Sequence, residues 1–337
     1  MTWSELDWSV LDRLRQRFLG TTTTSGPYWE TAADLANYDF TYGERIGWKW
    51  DQVLRELQRR GWHPAPGAPV SVFDWGCGSG VAARRVIASF GAGAFESLTV
   101  WDHSPLACDY AAEVAQLAYP ALPVTQATPG FLASTEPIGL LVVSHVLNEL
   151  PAEALVALRA VVARATAVLW VEPGTHAISR QLGALREEFR PTFQVVAPCT
   201  HATPCPILAE GNTRDWCHFF APPPSEIFAD SNWVKFGQRA GIDLRSLPYC
   251  FLALDRRSSA AAPATGLSRV IGRVEHFKPY ARLLNCDASG LAELELPKRA
   301  DPALFKQLER TKAPLVYRWR RDGNKLLGGE AIDLTGS

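Results

Sequence analysis

Two groups of residues have types and spacings that could do chemistry. The first is Asp74-Trp75-Gly76-Cys77-Gly78-Ser79-Gly80, between an apolar run at 70–73 and a helical pattern at 81–90. Glycines there let bare backbone approach a nucleotide-like ligand at a helix N-terminus, where a side chain would block it. Asp102, ending the next predicted strand, is placed to accept the hydroxyls of a ribose. The second group is Cys199, Cys205 and Cys217, in the runs Ala197-Pro198-Cys199-Thr200-His201-Ala202-Thr203-Pro204-Cys205-Pro206 and Asp215-Trp216-Cys217-His218-Phe219. Three cysteines among prolines and histidines read as a preformed ligand loop, with the fourth ligand drawn from Cys250, Cys286, His201 or His218. Thiolate ligation suits an iron-sulfur cluster or zinc, and the spacing leaves both open.

The order D-x-G-x-G-x-G is motif I of class I S-adenosylmethionine-dependent methyltransferases, not the G-x-G-x-x-G of dinucleotide enzymes. Asp74, Gly76, Gly78, Gly80, Asp102 and Ser144 are therefore the cofactor-binding candidates. Methyl transfer from a sulfonium asks for an aligned nucleophile and exclusion of water, so few catalytic residues are needed. The acceptor is normally read after the fourth strand, here Ser144-His145-Val146-Leu147-Asn148-Glu149-Leu150. His145, Asn148 and Glu149 are the catalytic candidates; the commoner role of such residues is to cap a helix and line a crevice. The C-x3-C-x2-C signature of radical S-adenosylmethionine enzymes is absent.

These residues must be positioned by the elements around them. Residues 1–69 read as helical and aromatic, with an amphipathic helix at the N-terminus and another over 46–60, closed by the proline-rich 63–69. From 70 the pattern alternates: strands at 70–73, 97–102, near 124, 139–144 and 167–172, and helices at 81–90, 105–118, 152–165 and 176–189. Uniformly apolar strands flanked by helices imply a parallel sheet buried on both faces, and hence a doubly wound α/β fold. An irregular Cys-, His- and Pro-rich insert follows at 197–224, then a helix at 225–240 and a strand at 247–254. Residues 256–266 read as a linker. Beyond them, strands at 280–285 and 291–296 flank the turn Asp287-Ala288-Ser289-Gly290, 315–321 reads as a basic strand, and the last dozen residues read as frayed. The expected domains are 1–69, 70–255 and a basic C-terminal β extension at 256–337.

The chain has 337 residues, 47% apolar and 20% charged, with a formal charge of −1, so it is not a uniformly basic nucleic-acid binder. The distribution is uneven: residues 256–325 hold fifteen Lys and Arg against seven Asp and Glu. Such an asymmetry suggests a polyanionic partner for the C-terminal part. No segment approaches the ~20 apolar residues of a membrane span, and the N-terminus lacks the apolar core of a secretory signal. Seven cysteines, an odd number, fit a reducing compartment better than a disulfide framework. The expected location is the cytoplasm.

Taken together, the motif I loop, Ser144 to Leu150, Val171-Glu172-Pro173-Gly174-Thr175, the A-P-C-x-H-x3-C-P run and Trp216-Cys217-His218-Phe219 resemble the Rsm22 family, methyltransferase-like proteins of the small ribosomal subunit. The resemblance spans roughly residues 28–321. It implies an S-adenosylmethionine-binding fold, a role in small-subunit assembly, contact with its rRNA, and a [4Fe-4S] cluster on four cysteines. It also implies that the fourth ligand is Cys286, in Leu283-Leu284-Asn285-Cys286-Asp287, giving the set Cys199, Cys205, Cys217 and Cys286. The expected function is an rRNA methyltransferase-like protein acting on the small subunit or its precursor, monomeric when free. The alternatives are a noncatalytic rRNA-binding assembly factor and a zinc-containing small-molecule methyltransferase.

Overall fold

The computed structural model describes residues 1–19, 29–257, 266–310 and 315–332, so the expected linker at 256–266 lies, but for its ends, outside the described residues. The chain begins with α1 (Trp8–Leu19) and α2 (Ala32–Tyr38), which runs through a π turn at Asp39–Gly43 into α3 (Glu44–Arg59). Alternation follows: β1 (Val70–Trp75), α4 (Val81–Phe90), β2 (Phe95–Trp101), α5 (Pro105–Ala118), β3 (Val124–Gln126), α6 (Pro129–Ala133), β4 (Ile138–Ser144), α7 (Ala152–Arg164), β5 (Ala165–Pro173) and α8 (His176–Phe189). Then come β6 (Gln194–Ala197), β7 (Phe219–Ala221), α9 (Ser231–Ala240) and β8 (Leu247–Asp255). The C-terminal part contains β9 (Ser268–His276), β10 (Tyr280–Asp287), β11 (Gly290–Pro297), α10 (Pro302–Leu308), β12 (Val316–Asp322) and β13 (Lys325–Ala331). No helix among the described residues is long and apolar enough to cross a membrane.

These elements form two compact units that do not follow chain order: Met1–Leu54 with His63–Trp170 and Pro223–Leu247, and Arg55–Trp62 with Val171–Pro222 and Pro248–Ser337. In the first unit the strands lie in the order β3-β2-β1-β4-β5. β1 is parallel to β2 (Phe73↔Thr99) and to β4 (Phe73↔Leu141), and β2 is parallel to β3. The order reverses between β1 and β4, and in such a sheet the crevice beyond the strand ends at that reversal is where ligands bind. Both the glycine turn and Ser144-His145 leave the sheet there. Leu140 to Val143 of β4 are fully buried, as expected of a central strand covered on both faces. The helix expected at 225–240 is instead a 3-10 turn at Ser225–Phe228 followed by α9, because Asp230 caps a new start by accepting from the Asn232 amide at 2.9 Å.

In the second unit β6 runs antiparallel to β8 (Val195↔Leu254), and β7 also pairs with β8. The C-terminal strands close into a barrel in the order β10-β11-β13-β12-β9. Its core holds Leu283, Leu294, Leu296, Phe305, Tyr317 and Leu326. Along β10 burial alternates, with Ala281, Leu283 and Asn285 inside and Arg282, Leu284 and Cys286 outside. Asn285 is held there by the Trp319 indole N–H, which donates to its Oδ1 at 2.8 Å. The tail expected to fray from 326 instead forms β13, which buries Leu326 and pairs with both β11 and β12. Counted from β9, the barrel order is 1-2-3-5-4-1, with the third and fifth strands parallel (Glu295↔Lys325) and a helix between the third and fourth. This is the topology of an OB-fold.

Candidate functional site

In the first unit, β1 delivers Asp74 fully buried, and the chain then turns through three left-handed glycines, Gly76 (φ +72°), Gly78 (φ +52°) and Gly80 (φ +74°). The three are glycine for different reasons. A Cβ at Gly76 would stand 2.7 Å from the Val146 side chain, and one at Gly80 3.0 Å from the Ala111 Cβ, whereas one at Gly78 would meet nothing within 4 Å. Gly78 therefore faces open space, as a ligand-approach position should, and its neighbours set the shape of the turn. The Gly76 and Cys77 amides donate to the Trp101 carbonyl at 2.7 and 2.9 Å, tying the turn to the end of β2.

Neither Asp74 carboxylate oxygen makes a hydrogen bond of normal geometry. Burial pushes its carboxyl up to about 7, the nearby Ala83 amide opposing and Asp102 adding to the shift. Asp102 accepts from the Gly78 amide on Oδ2 and from the Ser104 amide on Oδ1, both at 3.0 Å, and His103 Nδ1 lies 3.1 Å from Oδ1. The Asp102 partnership raises the His103 pKa. Glu149 is also pushed up, by desolvation and then by Asp102, while Asn148 hydrogen-bonds to it and opposes the shift. Asp102, His103, Asn148 and Glu149 thus form one acidic rim.

Ser144 Oγ accepts from the Trp50 indole N–H at 2.9 Å and lies 3.2 Å from His145 Nδ1. His145 has φ +56°, the only positive φ outside glycine among the described residues. Its Nε2 is 3.1 Å from Lys49 Nζ, and desolvation, Lys49 and Arg45 push its pKa well down, so the ring stays neutral. Asp39, in the π turn, receives Ser79 Oγ at 2.7 Å and Arg84 at 2.5 Å, linking the helical segment to the glycine turn. Asp39 also lines a cavity of about 610 Å³ with Trp3, Phe40, Glu44, Trp48 and Trp233. Sequence reasoning missed Asp39, Lys49 and Trp50, because they come from a segment that carries no motif.

In the second unit the cysteine site rests on a buried ion triad. Arg269 of β9 pairs with both Glu56 oxygens, and Arg60 donates to Glu56 Oε1 at 2.8 Å. Burial pushes Glu56 up, but the two guanidiniums overcome it and hold the carboxyl at about 2. The same arginines grip the backbone of the cysteine run: Arg60 donates to the carbonyls of Val196, Pro198 and Cys199 at 2.8, 3.0 and 3.2 Å, and Arg269 to that of Pro198 at 3.2 Å. Arg186 donates to the His201 and Thr203 carbonyls at 3.3 and 3.0 Å, and Glu187 accepts from the Cys205 amide at 3.1 Å. The Trp216 indole N–H donates to the Gly174 carbonyl at 3.0 Å and its ring stacks on His218, which anchors both sides of Cys217.

These anchors bring Cys199, Cys205, Cys217 and Cys286 into one electrostatic neighbourhood. Burial and then the Cys199, Cys286 and Cys205 thiols push Cys217 well up, and burial and then Cys199 and Cys205 do the same to Cys286. His201 Nε2 lies 3.5 Å from Cys286 Sγ, while His218 packs between Trp216 and Phe220. Cys250 is apart from this set, its thiol donating to the Pro173 carbonyl at 3.5 Å. None of the seven cysteines is joined in a disulfide. Among the described residues no group of three or more His, Cys, Asp or Glu side chains stands at the spacing of a site for a metal ion. The four cysteines of the expected metal site are thus electrostatic neighbours, but not at the spacing of a metal site.

The model of the family described as mitochondrial small ribosomal subunit Rsm22 matches residues 47–296, a span that takes in both the glycine turn and all four cysteines. The chain belongs to the Rsm22 family. No curated protein matches it. Among solved structures, this Rsm22 chain is similar to a magnesium protoporphyrin IX methyltransferase from Synechocystis PCC 6803 with bound SAH, at 16% identity over 74% of this chain and 95% of that one, with a TM-score of 0.39. A putative RNA methyltransferase from Pyrococcus horikoshii matches at 9% identity over 61% and 83%, with a TM-score of 0.38. A putative class I S-adenosylmethionine-dependent methyltransferase from Listeria monocytogenes matches at 11% identity over 66% and 62%, with a TM-score of 0.41.

Proposed function

We propose that this Rsm22-family protein binds S-adenosylmethionine at the glycine turn, carries a [4Fe-4S] cluster on Cys199, Cys205, Cys217 and Cys286, and acts on rRNA of the small ribosomal subunit or its precursor. The observation that carries the cofactor reading is Asp74. Its buried carboxyl makes no hydrogen bond of normal geometry beneath a turn whose open glycine faces free space, which fits a cationic, nucleoside-bearing ligand. Gly76, Gly78, Gly80 and Asp74 would hold the ligand, with Asp102 and Ser144 at the ends of the neighbouring strands. When bound, S-adenosylmethionine supplies an electrophilic methyl group. His145, kept neutral between Ser144 and Lys49, can shape the crevice after β4 without taking up charge, and the Asn148–Glu149 rim can orient the acceptor.

The donor set fits a cluster on chemical grounds. Desolvation pushes the Cys205, Cys217 and Cys286 thiols up, and the Arg186 guanidinium beside Cys199 and Cys205 supplies positive charge there. Four cysteine thiols suit either an iron-sulfur cluster or zinc, and the Rsm22 resemblance favours the cluster. The location proposed is the cytoplasm, and the free protein is proposed to be a monomer.

A second reading has one observation in its favour. Each Asp102 oxygen already accepts from one amide, of Gly78 and of Ser104, so the acid holds the turn closed, which suits a noncatalytic assembly factor. Calorimetry with S-adenosylmethionine on the full chain and on the Asp74→Ala/Asp102→Ala double variant separates the two. Micromolar binding lost in the variant supports the cofactor reading; a wild type that does not bind while small-subunit maturation proceeds supports the assembly factor. Protein purified without oxygen should carry about four irons per chain and lose them in Cys286→Ala; a colourless sample with stoichiometric zinc overturns the cluster.

A further inference from the structure

The C-terminal barrel exposes an aromatic platform in the position where an OB-fold takes its ligand. OB-folds bind oligonucleotides on the face of their second and third strands, flanked by the loops between strands one and two and between strands four and five. Here those are β10 and β11, the loop Phe277-Lys278-Pro279, and Gly323-Asn324. Phe277 is 41% exposed, one of few large apolar side chains so open among the described residues. Its ring stacks on Tyr280 at 4.8 Å and 26°, and the Arg282 guanidinium lies 5.3 Å from the Phe277 centroid and donates to Tyr280 Oη at 3.2 Å.

The charges around the platform are sorted. Lys278 is exposed in the loop itself, and Lys298 and Arg299 are exposed beside it, the Lys298 amide donating to the Pro279 carbonyl at 2.9 Å. Lys325 is exposed opposite Glu295. Across the strand face, Arg282 is ringed by Glu275, Glu293 and Glu295 at 3.9, 3.5 and 3.8 Å, too long for hydrogen bonds, so these carboxylates keep acceptor capacity. A cationic rim suits phosphates, stacked rings suit base faces, and carboxylates suit amino donors on base edges but repel phosphates.

We propose that this face binds single-stranded RNA with a base stacked on Phe277 and Tyr280, phosphates on Lys278, Lys298, Arg299 and Lys325, and the glutamates selecting an amino-bearing base such as cytosine over uracil. The proposal rests on the rRNA reading above and names the surface that would carry it. The test uses the full chain with fluorescently labelled 12-mers of oligo-C and oligo-U and a matched duplex, followed by anisotropy, with co-sedimentation on small subunits measured in parallel. Phe277→Leu and Tyr280→Leu keep apolar bulk but remove stacking, and circular dichroism melts confirm that they fold. The expected result is oligo-C bound at least about 5-fold tighter than oligo-U, tighter than duplex, and weakened about 10-fold by each substitution. Unchanged affinity in both leucine variants overturns the platform, and equal binding of oligo-C and oligo-U overturns the role of the glutamates. If wild type co-sediments with subunits but these outcomes hold, rRNA association stands and only the platform falls. If wild type neither binds RNA nor co-sediments, the rRNA reading falls with it.

Discussion

The glycine-turn site and the cysteine site are built in opposite ways. Residues 74–80 are contiguous, and their geometry is local: three positive-φ glycines and two amides tied to the Trp101 carbonyl shape the turn. The cysteine site draws its thiols from residues 199 to 286, and its backbone is held by Arg186 and by the Arg60 and Arg269 guanidiniums that share one buried carboxylate, Glu56. A contiguous site can lose one residue and keep its fold. A site assembled around a buried charge loses its scaffold when that charge goes.

The largest effect should therefore come from Glu56. Glu56→Gln leaves Arg269 and Arg60 with one neutral partner, and should cost about 3–5 kcal/mol in urea unfolding together with most of the iron of the proposed cluster. A loss under about 1 kcal/mol would mean that the triad does not hold the cysteine run. The pH dependence has a definite sign. The Glu56 carboxyl sits at about 2 in the folded state against 4.5 for the ordinary group, so its stabilisation is complete above pH 4.5 and lost as pH falls towards 2.

Asp74 should behave inversely and more mildly. Its carboxyl is raised from 3.8 to about 7, so the ligand-free fold holds a proton that the unfolded chain has lost, and stability falls as pH rises from about 4 to 7. Asp74→Asn should flatten that decline and raise stability at pH 8 by on the order of 1–3 kcal/mol, while abolishing S-adenosylmethionine binding. Thermal melts at pH 5 and pH 8 check it, and an unchanged difference between the two pH values would sink the argument.

The smallest effect separates shape from access within the turn. Gly76→Ala sets a methyl 2.7 Å from Val146 at a positive φ and should cost about 2–3 kcal/mol. Gly78→Ala meets nothing within 4 Å and should cost only about 1 kcal/mol of backbone strain, yet weaken cofactor binding more than tenfold. If both variants melt alike and bind alike, Gly78 is not the approach position.

Most regular elements of the α/β part were legible because their signal is periodic and local. The expected bounds of α4, α5 and α8 match the structure, and β1, β2, β4 and β5 differ from expectation only at their ends. The helix at 225–240 was misread because apolar spacing ran through Asp230, whose side chain caps a new helix. Strand β13 was missed because Lys325-Leu326-Leu327-Gly328-Gly329-Glu330-Ala331 has two adjacent glycines and weak alternation. Its strand state comes from partners on β11 and β12.

The sequence by itself determined the glycine turn, the strands around it and the candidate cysteines, since backbone conformation at a turn and apolar period along a strand are set within a few residues. The family was already readable from those same stretches. Tertiary structure put Cys286, and not Cys250, in the electrostatic neighbourhood of Cys199, Cys205 and Cys217, as the family resemblance implies; it alone decided that Glu56 and Arg269, 213 positions apart, form one ion pair, and that the basic extension closes into an OB-type barrel. Each of these depends on which distant surfaces meet, and low-dielectric burial then makes a charge or thiol pair matter in a way that no local spacing encodes.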